Sequence, residues 1–447
     1  MNITEFQQHL FDQGKVYGYT EMEVYYSASR STAAVVRSGE VDSYRVAETQ
    51  GLSFRGLING QMGYASTEKI AADSIPFLLD EAAGNAGILE IADDSDLFGG
   101  SVSYPQLNTY SEQIIQTSPE TLIAAATRLE QLVLDSDERI TMVRQSSASV
   151  REHELLIANS KGLHCHQRDS IGSVSVYVLA GADSETVSGG WFDYDLRDFD
   201  DISIEDVAAK AVHEVVSKLG AAPVPSDNYP VILREDAASS LLSAHTSVFS
   251  AEQVEKGFSS LVGKLEQSIA GSNITLIDDP LMEYVPGTTM FDAEGVAASP
   301  HTLIQNGVLK TFLHNRKTAA KAGLSTTANA SKGGYKGKLG ISYHNLYLQP
   351  GTRNLDELIR SIEKGVLITE LQGMHAGTDP TSGNFSLACL GYWIENGVID
   401  RPVNQITVSG NFYELLNNVE ELGSDLRFTG SCTSPSLKIG SLSISGS

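Results

Sequence analysis

The residues best suited to chemistry in this chain are a histidine and two glutamates in the stretch SSLLSAHTSVFSAEQVEKG, residues 239–257. The stretch reads as one helix, and a helix bearing an imidazole and carboxylates is what a zinc-dependent peptidase carries. Such a site needs at least two imidazoles on one helix face, as in His-Glu-x-x-His, with a carboxylate beside the bound water. The spacing here does not supply them. Four residues beyond His245 stands Phe249, which cannot ligate. Glu252 lies two turns on along the same face, about 10 Å along the axis. His245 is therefore expected as an ordinary polar residue on a partly exposed helix.

Other groupings carry less. His164 and His166 flank Cys165 in an alternating segment, so both imidazoles share one face of a strand. With His153 on a preceding strand they could hold a metal, but no acid or thiol is placed to complete the set. Residues 375–386, HAGTDPTSGNFS, combine glycines, hydroxyls and an acid. The Walker pattern and its lysine are missing, and as a turn between strands the segment needs no ligand. Asp278, Asp279, Glu283, Asp292 and Glu294 crowd one segment and could do acid–base work. A charged surface loop with an Asp-Pro turn accounts for them more simply. No Gly-x-Ser-x-Gly elbow joins a strand to a helix. The glycines of GGYKGKLG follow a loop rather than a strand, which argues against a dinucleotide site.

The bulk properties narrow the partners. The net charge is −25 with an isoelectric point near 4.7, and no basic run offsets it. Affinity for nucleic acid comes mainly from Lys and Arg neutralising phosphates, so direct nucleic-acid binding is excluded as a working expectation. A neutral or cationic peptide, or another protein, is the more natural partner. No apolar run is long enough to span a membrane. The N-terminus lacks a basic n-region and an apolar h-region. Cys165, Cys389 and Cys432 are too few and too scattered for a disulfide framework. A cytoplasmic location is expected.

At 447 residues the chain is long enough for two or three domains. A polar helix is predicted around residues 4–13, then period-two alternation, then a hairpin turning at Asn59-Gly60. A short helix follows from Ser74, with Pro76 in its first turn. Ser118-Pro119-Glu120 starts a helix with an apolar stripe, and Ser203 caps another. Residues 140–167 and 170–183 alternate like neighbouring antiparallel strands. GAAPVPSDNYP, residues 220–230, reads as a linker. It divides an N-terminal α+β domain, 1–222, from a strand-rich C-terminal domain, 231–447. Asn354 and Asn411, each followed three residues later by glutamate, predict two short capped helices in the second half. The expected class is α+β, two domains with mixed and antiparallel sheets and packed helices.

From VILREDAASSLL (231–242) onward the chain resembles the TldD/PmbA family, cytosolic proteins implicated in peptide proteolysis and maturation, and within it the PmbA/TldE branch. The resemblance also rests on residues 51–67, 158–176, 278–295, 366–416 and 419–428, which follow in the family's order over nearly the whole chain. In the TldD branch a His-Glu-x-x-x-His motif follows a pair of leucines, which Leu241 and Leu242 match. The three functional positions then fall on Ser243, Ala244 and Val248, and His245 inherits no ligand role. Cys432 lies near the family's C-terminal cysteine, a lone thiol here.

The resemblance implies a non-catalytic subunit of a TldD-type metallopeptidase complex. Zinc is expected in the partner and no cofactor in this chain. The chain would help form a cleft for an extended peptide, by β-strand addition, and could self-associate as a homodimer when alone. It also brings the 375–386 loop toward the cleft, which makes His375, Thr378, Asp379, Thr381 and Asn384 candidate substrate contacts. Two other readings stay open. One is a non-enzymatic regulatory protein of the DNA gyrase modulator kind. The other is an independent hydrolase.

Overall fold

The computed structural model describes residues 1–86, 97–182 and 185–446. Asp183 and Ser447, at the ends of two segments read from the sequence, lie outside them. The fold is α+β, as expected.

The first half is built on one antiparallel sheet. Its order is Gln61–Thr67, Glu40–Ile58, Glu21–Arg37, Ile140–Asn159, His164–Ala182, Glu185–Asp195. Asn59 and Gly60 take the left-handed conformation (φ 53° and 76°) that a two-residue hairpin requires. Ser38 and Gly39 do the same at a turn the alternation alone did not mark. That second turn is tied down by Glu130. Its carboxylate is 2% exposed and accepts the N–H groups of Ser38 and Gly39, each at 2.7 Å. A buried charge is tolerated there because two donors satisfy it.

Among the described residues, four longer helices cover one face of this sheet. Ile3–Tyr17 starts with an Asn2/Glu5 capping box and, with Ile75–Asn85, buries Phe6, Leu10 and Leu78 against Val24 and Leu52. Pro119–Ser136, capped by Ser118, and Ile204–Val216, capped by Ser203, bury Leu122, Leu129, Val207 and Val215 against Val174, Val176 and Val178. At one end of the other face, Tyr25, Ile157 and Cys165 pack on Phe291 of the second half. Farther along, that face carries paired hydroxyls, Ser147–Ser175 at 2.8 Å and Ser149–Ser173 at 2.9 Å.

The second half holds a six-stranded mixed sheet ordered Val398–Asn411, Asn384–Glu395, Lys364–Gln372, Asp227–Leu233, Leu437–Ser445, Val419–Leu422. Residues 407–409 also pair with 443–445, which curls the sheet toward closure. A second sheet runs Val308–Leu309, His301–Gln305, Leu276–Asp278, Leu346–Leu348, Cys432–Thr433. Asn306-Gly307 and Asn396-Gly397 make their hairpin turns with positive φ. The short helices Leu355–Arg360 and Phe412–Asn417 form behind Asn354 and Asn411.

The strand Asp227–Leu233 begins inside the segment read as a linker. Asp227, Asn228 and Tyr229 pair with Ile444, Ser443 and Leu442, and Pro230 sits where that ladder breaks register. Proline cannot donate to a ladder, so it is accommodated at such a break.

Candidate functional site

The helix that opens the second half is Glu235–Ala244, not the longer helix expected over residues 239–257. It follows directly from the strand Asp227–Leu233, and Arg234 N–H donates to Ile368 O at 2.9 Å. Ala237, Ala238, Leu241 and Leu242 turn into the core. The helix stops at His245 (φ −111°, ψ 6°), and the chain continues as a 3-10 turn Thr246–Phe249 and a short helix Ala251–Glu255.

The cause of the break is tertiary. The His245 ring stacks on Phe412 with centroids 4.4 Å apart and planes 7° apart, and its Nδ1 lies 2.9 Å from Leu241 O. The residue is 0% exposed, not partly exposed as the sequence suggested. Burial holds its imidazole below the ordinary value, and Nε2 is buried without a partner among the described residues. Glu252, beyond the break, pairs with Lys256 at 2.7 Å instead of sharing a face with His245.

The residues at the positions that the sequence resemblance assigns to a metal do not fit zinc. Ser243 is exposed, Ala244 is half-buried, and Val248 is buried in the core. None offers an imidazole or a carboxylate. The Cys432 thiol is pushed up to about 12 by burial, which disfavours the thiolate a metal would need. Among the described residues no three His, Cys, Asp or Glu side chains are grouped to hold an ion. His166 pairs with Glu154 at 2.8 Å and His153 lies 3.6 Å from Asp169. Their registers, His166 opposite Leu156 and His153 opposite Asp169, put the two imidazoles on opposite faces.

The acidic segment 278–295 is not the surface loop its charge suggested. Asp278 and Asp292 are buried. Asp278 accepts from Asn329 Nδ2 at 2.7 Å and His344 N at 2.8 Å. Asp292 accepts three backbone N–H groups, from Glu294, Val296 and Ala330, while burial and Glu294 raise its pKa to about 7. These carboxylates serve as anchors for irregular backbone.

The loop proposed for substrate contact is a turn that satisfies itself. The Asp379 carboxylate accepts Thr381 N at 3.0 Å and Ser382 Oγ at 2.7 Å, and these bonds hold its pKa low. Thr378 Oγ1 donates to Met374 O, Thr381 Oγ1 to Phe258 O, and Asn384 Oδ1 accepts from Asn411. His375 is exposed. The loop packs beside His245 and the Phe412–Asn417 helix, with Tyr413 Oη donating to Pro380 O at 2.7 Å.

A larger feature lies at the other end of the helix. A groove of about 630 Å³ runs along the seam between the two halves, and none of those five residues lines it. One wall is the strand Glu185–Asp195, whose outer edge pairs with no strand among the described residues. The facing wall is made by Arg234–Asp236 and by the second-half sheet where its strands are bulged. Thr369 is the extra residue in Lys364–Gln372, and Gln405, at φ 53°, stands beside the groove residue Asn404 where Val398–Asn411 gains one. Bulges interrupt pairing and re-aim side chains, so the sheet opens there.

Charge is concentrated in this groove. The Arg234 guanidinium is clamped by Glu214 and Asp236, each at 2.5 Å, and Lys218 reaches Glu370 at 3.1 Å. Arg427 covers the Trp191 ring at 4.7 Å and donates to Phe192 O. Glu235 has its pKa raised to about 7 by burial, with Asp236 next in effect. The sequence hinted at this site only through the Arg-Glu-Asp run and the Gly-Gly-Trp-Phe of the edge strand. Nothing local says that the two meet.

Comparison with known proteins is consistent across the chain. Residues 226–446 match the PmbA/TldA metallopeptidase C-terminal domain, 112–219 the central domain and 22–86 domain 1. A Thermotoga maritima protein proposed as a modulator of a DNA gyrase shares the fold with a TM-score of 0.91 and 31% identity, covering 99% of this chain and 100% of that one. TldE from Thermococcus kodakarensis is similar in fold, with a TM-score of 0.88 at 24% identity over 99% and 100% of the two chains. The metalloprotease PmbA homolog of Haemophilus influenzae is 26% identical over 437 residues, 94% of this chain and 92% of that protein.

Proposed function

The chain belongs to the PmbA/TldD metallopeptidase family, and from that premise we propose that it acts as the non-catalytic companion of a TldD-type metallopeptidase, binding an extended peptide in the seam groove while the partner supplies zinc. The observation that carries this reading is the pairing of two features on one helix. Its N-terminal end borders a groove walled by a strand edge that is unpaired among the described residues. At its C-terminal end and in the turn just beyond it, Ser243, Ala244 and Val248 stand where a metal and a general base would be needed. An open edge offers a row of N–H and C=O groups to a peptide backbone, which gives affinity without demanding a particular sequence. Water activation at zinc belongs to the partner in this reading, because none of the three side chains can ligate or take a proton.

The test is reconstitution. The purified chain alone should hydrolyse no peptide, and mixing it with a TldD-type partner should give a stable complex with peptidase activity. Failure of the two to associate would defeat the proposal. A second reading, modulation of DNA gyrase, has the Thermotoga maritima relative in its favour. The charge of −25 allows mimicry of nucleic acid. Capture of gyrase that survives high salt would favour it.

A further inference from the structure

We propose that Glu235 is the groove's recognition group for a cationic side chain, lysine or arginine, of the bound peptide. This rests on the reading of the groove as a peptide cleft and adds a chemical preference to it.

The basic side chains lining the groove are already committed. Arg234 is held by Glu214 and Asp236, Lys218 by Glu370, and Arg427 lies 3.5 Å from Asp193 while covering Trp191. Glu235 is the exception among the acids. Its carboxylate accepts no hydrogen bond from another residue among those described. The nearest cation, Arg234 Nε, is 3.9 Å away and bonded at 3.0 Å to Asp236. The side chain is 18% exposed, so it is largely stripped of water yet opens on the groove. Four carboxylates, Glu214, Glu235, Asp236 and Glu370, line the groove against three cations, Lys218, Arg234 and Arg427. Arg427 is turned to Asp193, Lys218 to Glu370, and Arg234 is shared by Glu214 and Asp236, so Glu235 is left with no cation of its own.

The surroundings select a cation over a neutral acceptor. Burial contributes most to the raised Glu235 pKa; Asp236 on the same helix and Asp425 on the loop packed against it push it further up, while Arg234 pushes it down, so two carboxylates face Glu235 against one cation that is already bonded to Asp236. A lysine or arginine head brought there relieves that repulsion and gains a charge-assisted hydrogen bond in a poorly hydrated site. An extended peptide along the edge strand presents every second side chain to the opposite wall, where the helix begins.

Glu235 titrates near pH 7 in the free groove, and a bound cation lowers that value. Binding then releases a proton, so affinity for a cationic peptide rises with pH through the window below about 7 and levels above it.

The experiment measures binding of two acetylated, amidated hexapeptides to the full chain, alone and mixed with its TldD-type partner. One peptide carries a central lysine and the other norleucine. The lysine peptide should bind about tenfold tighter at pH 8, and the preference should shrink to within about twofold at pH 5.5. Glu235→Gln should abolish the preference at both pH values while the norleucine peptide binds as before, which also shows that the variant is folded. A preference that survives Glu235→Gln, or equal binding of the two peptides by the wild type, overturns this assignment alone. Absence of binding by either peptide overturns it together with the peptide-cleft reading.

Discussion

Arg234 is the test of whether the seam is built as described. It stands at the start of the opening helix in the second half, and its guanidinium grips Glu214, a residue of the Ile204–Val216 helix in the first half. Both side chains are largely buried, 14% and 11% exposed, and Asp236 completes the clamp at 2.5 Å. Arg234→Met keeps most of the volume but strands the Glu214 charge. Breaking one side of such a buried pair costs about 3–5 kcal/mol. Glu214→Gln removes a charge-assisted bond while Asp236 still holds the arginine, for a loss of about 1.5–3 kcal/mol. The double variant leaves no stranded charge in the first half, and Asp236, 44% exposed, recovers water. Its loss should fall about 2 kcal/mol or more short of the sum of the singles. Urea unfolding of the four proteins at pH 7, followed by circular dichroism, gives the coupling energy. Losses that add to within about 0.5 kcal/mol would show that the two residues are independent and would refute the seam pairing.

Other consequences can be checked separately. Gly190 sits in the edge strand, where an added Cβ would come within 2.1 Å of Val176 O, so Gly190→Ala should cost about 1–3 kcal/mol and weaken peptide binding at the groove; unchanged unfolding would contradict the strand's position. Burial pushes the Cys389 and Cys432 thiols up to about 12, so both should resist alkylation at pH 8 until the chain unfolds, and rapid native labelling of Cys432 by mass spectrometry would contradict its environment. Burial lowers the His245 pKa, so the unfolded chain takes up that proton first and stability is lost as pH falls from about 6.5 toward the lowered value. His245→Phe keeps the stack on Phe412 and should flatten that part of the stability–pH curve, and an unaltered slope would place the protonation elsewhere.

Local chemistry was legible where a few neighbouring residues decide the outcome. Ser118 and Ser203 cap the helices they announce, and Asn-Gly pairs turn the hairpins, because caps and two-residue turns depend on little beyond their own backbone. The break at His245 was not legible. It is imposed by Phe412, far along the sequence, and the helical periodicity of 239–257 continues straight through it. Asp278 and Asp292 looked like solvated charges because nothing local reveals that Asn329, His344 and Ala330 bring donors to them. The groove was hidden for the same reason. Its walls are a strand edge, two bulges and a helix start from distant parts of the chain, and only the register of the pairing shows where the sheet parts.

The central claim is that this chain shapes the cleft and leaves the metal to its partner. Zinc should be counted, by elemental analysis, in the assembled complex and in each chain after separation. The account predicts about one zinc per pair of chains, all of it retained by the TldD-type subunit. Stoichiometric zinc that stays with this chain, held by its own side chains, would contradict it.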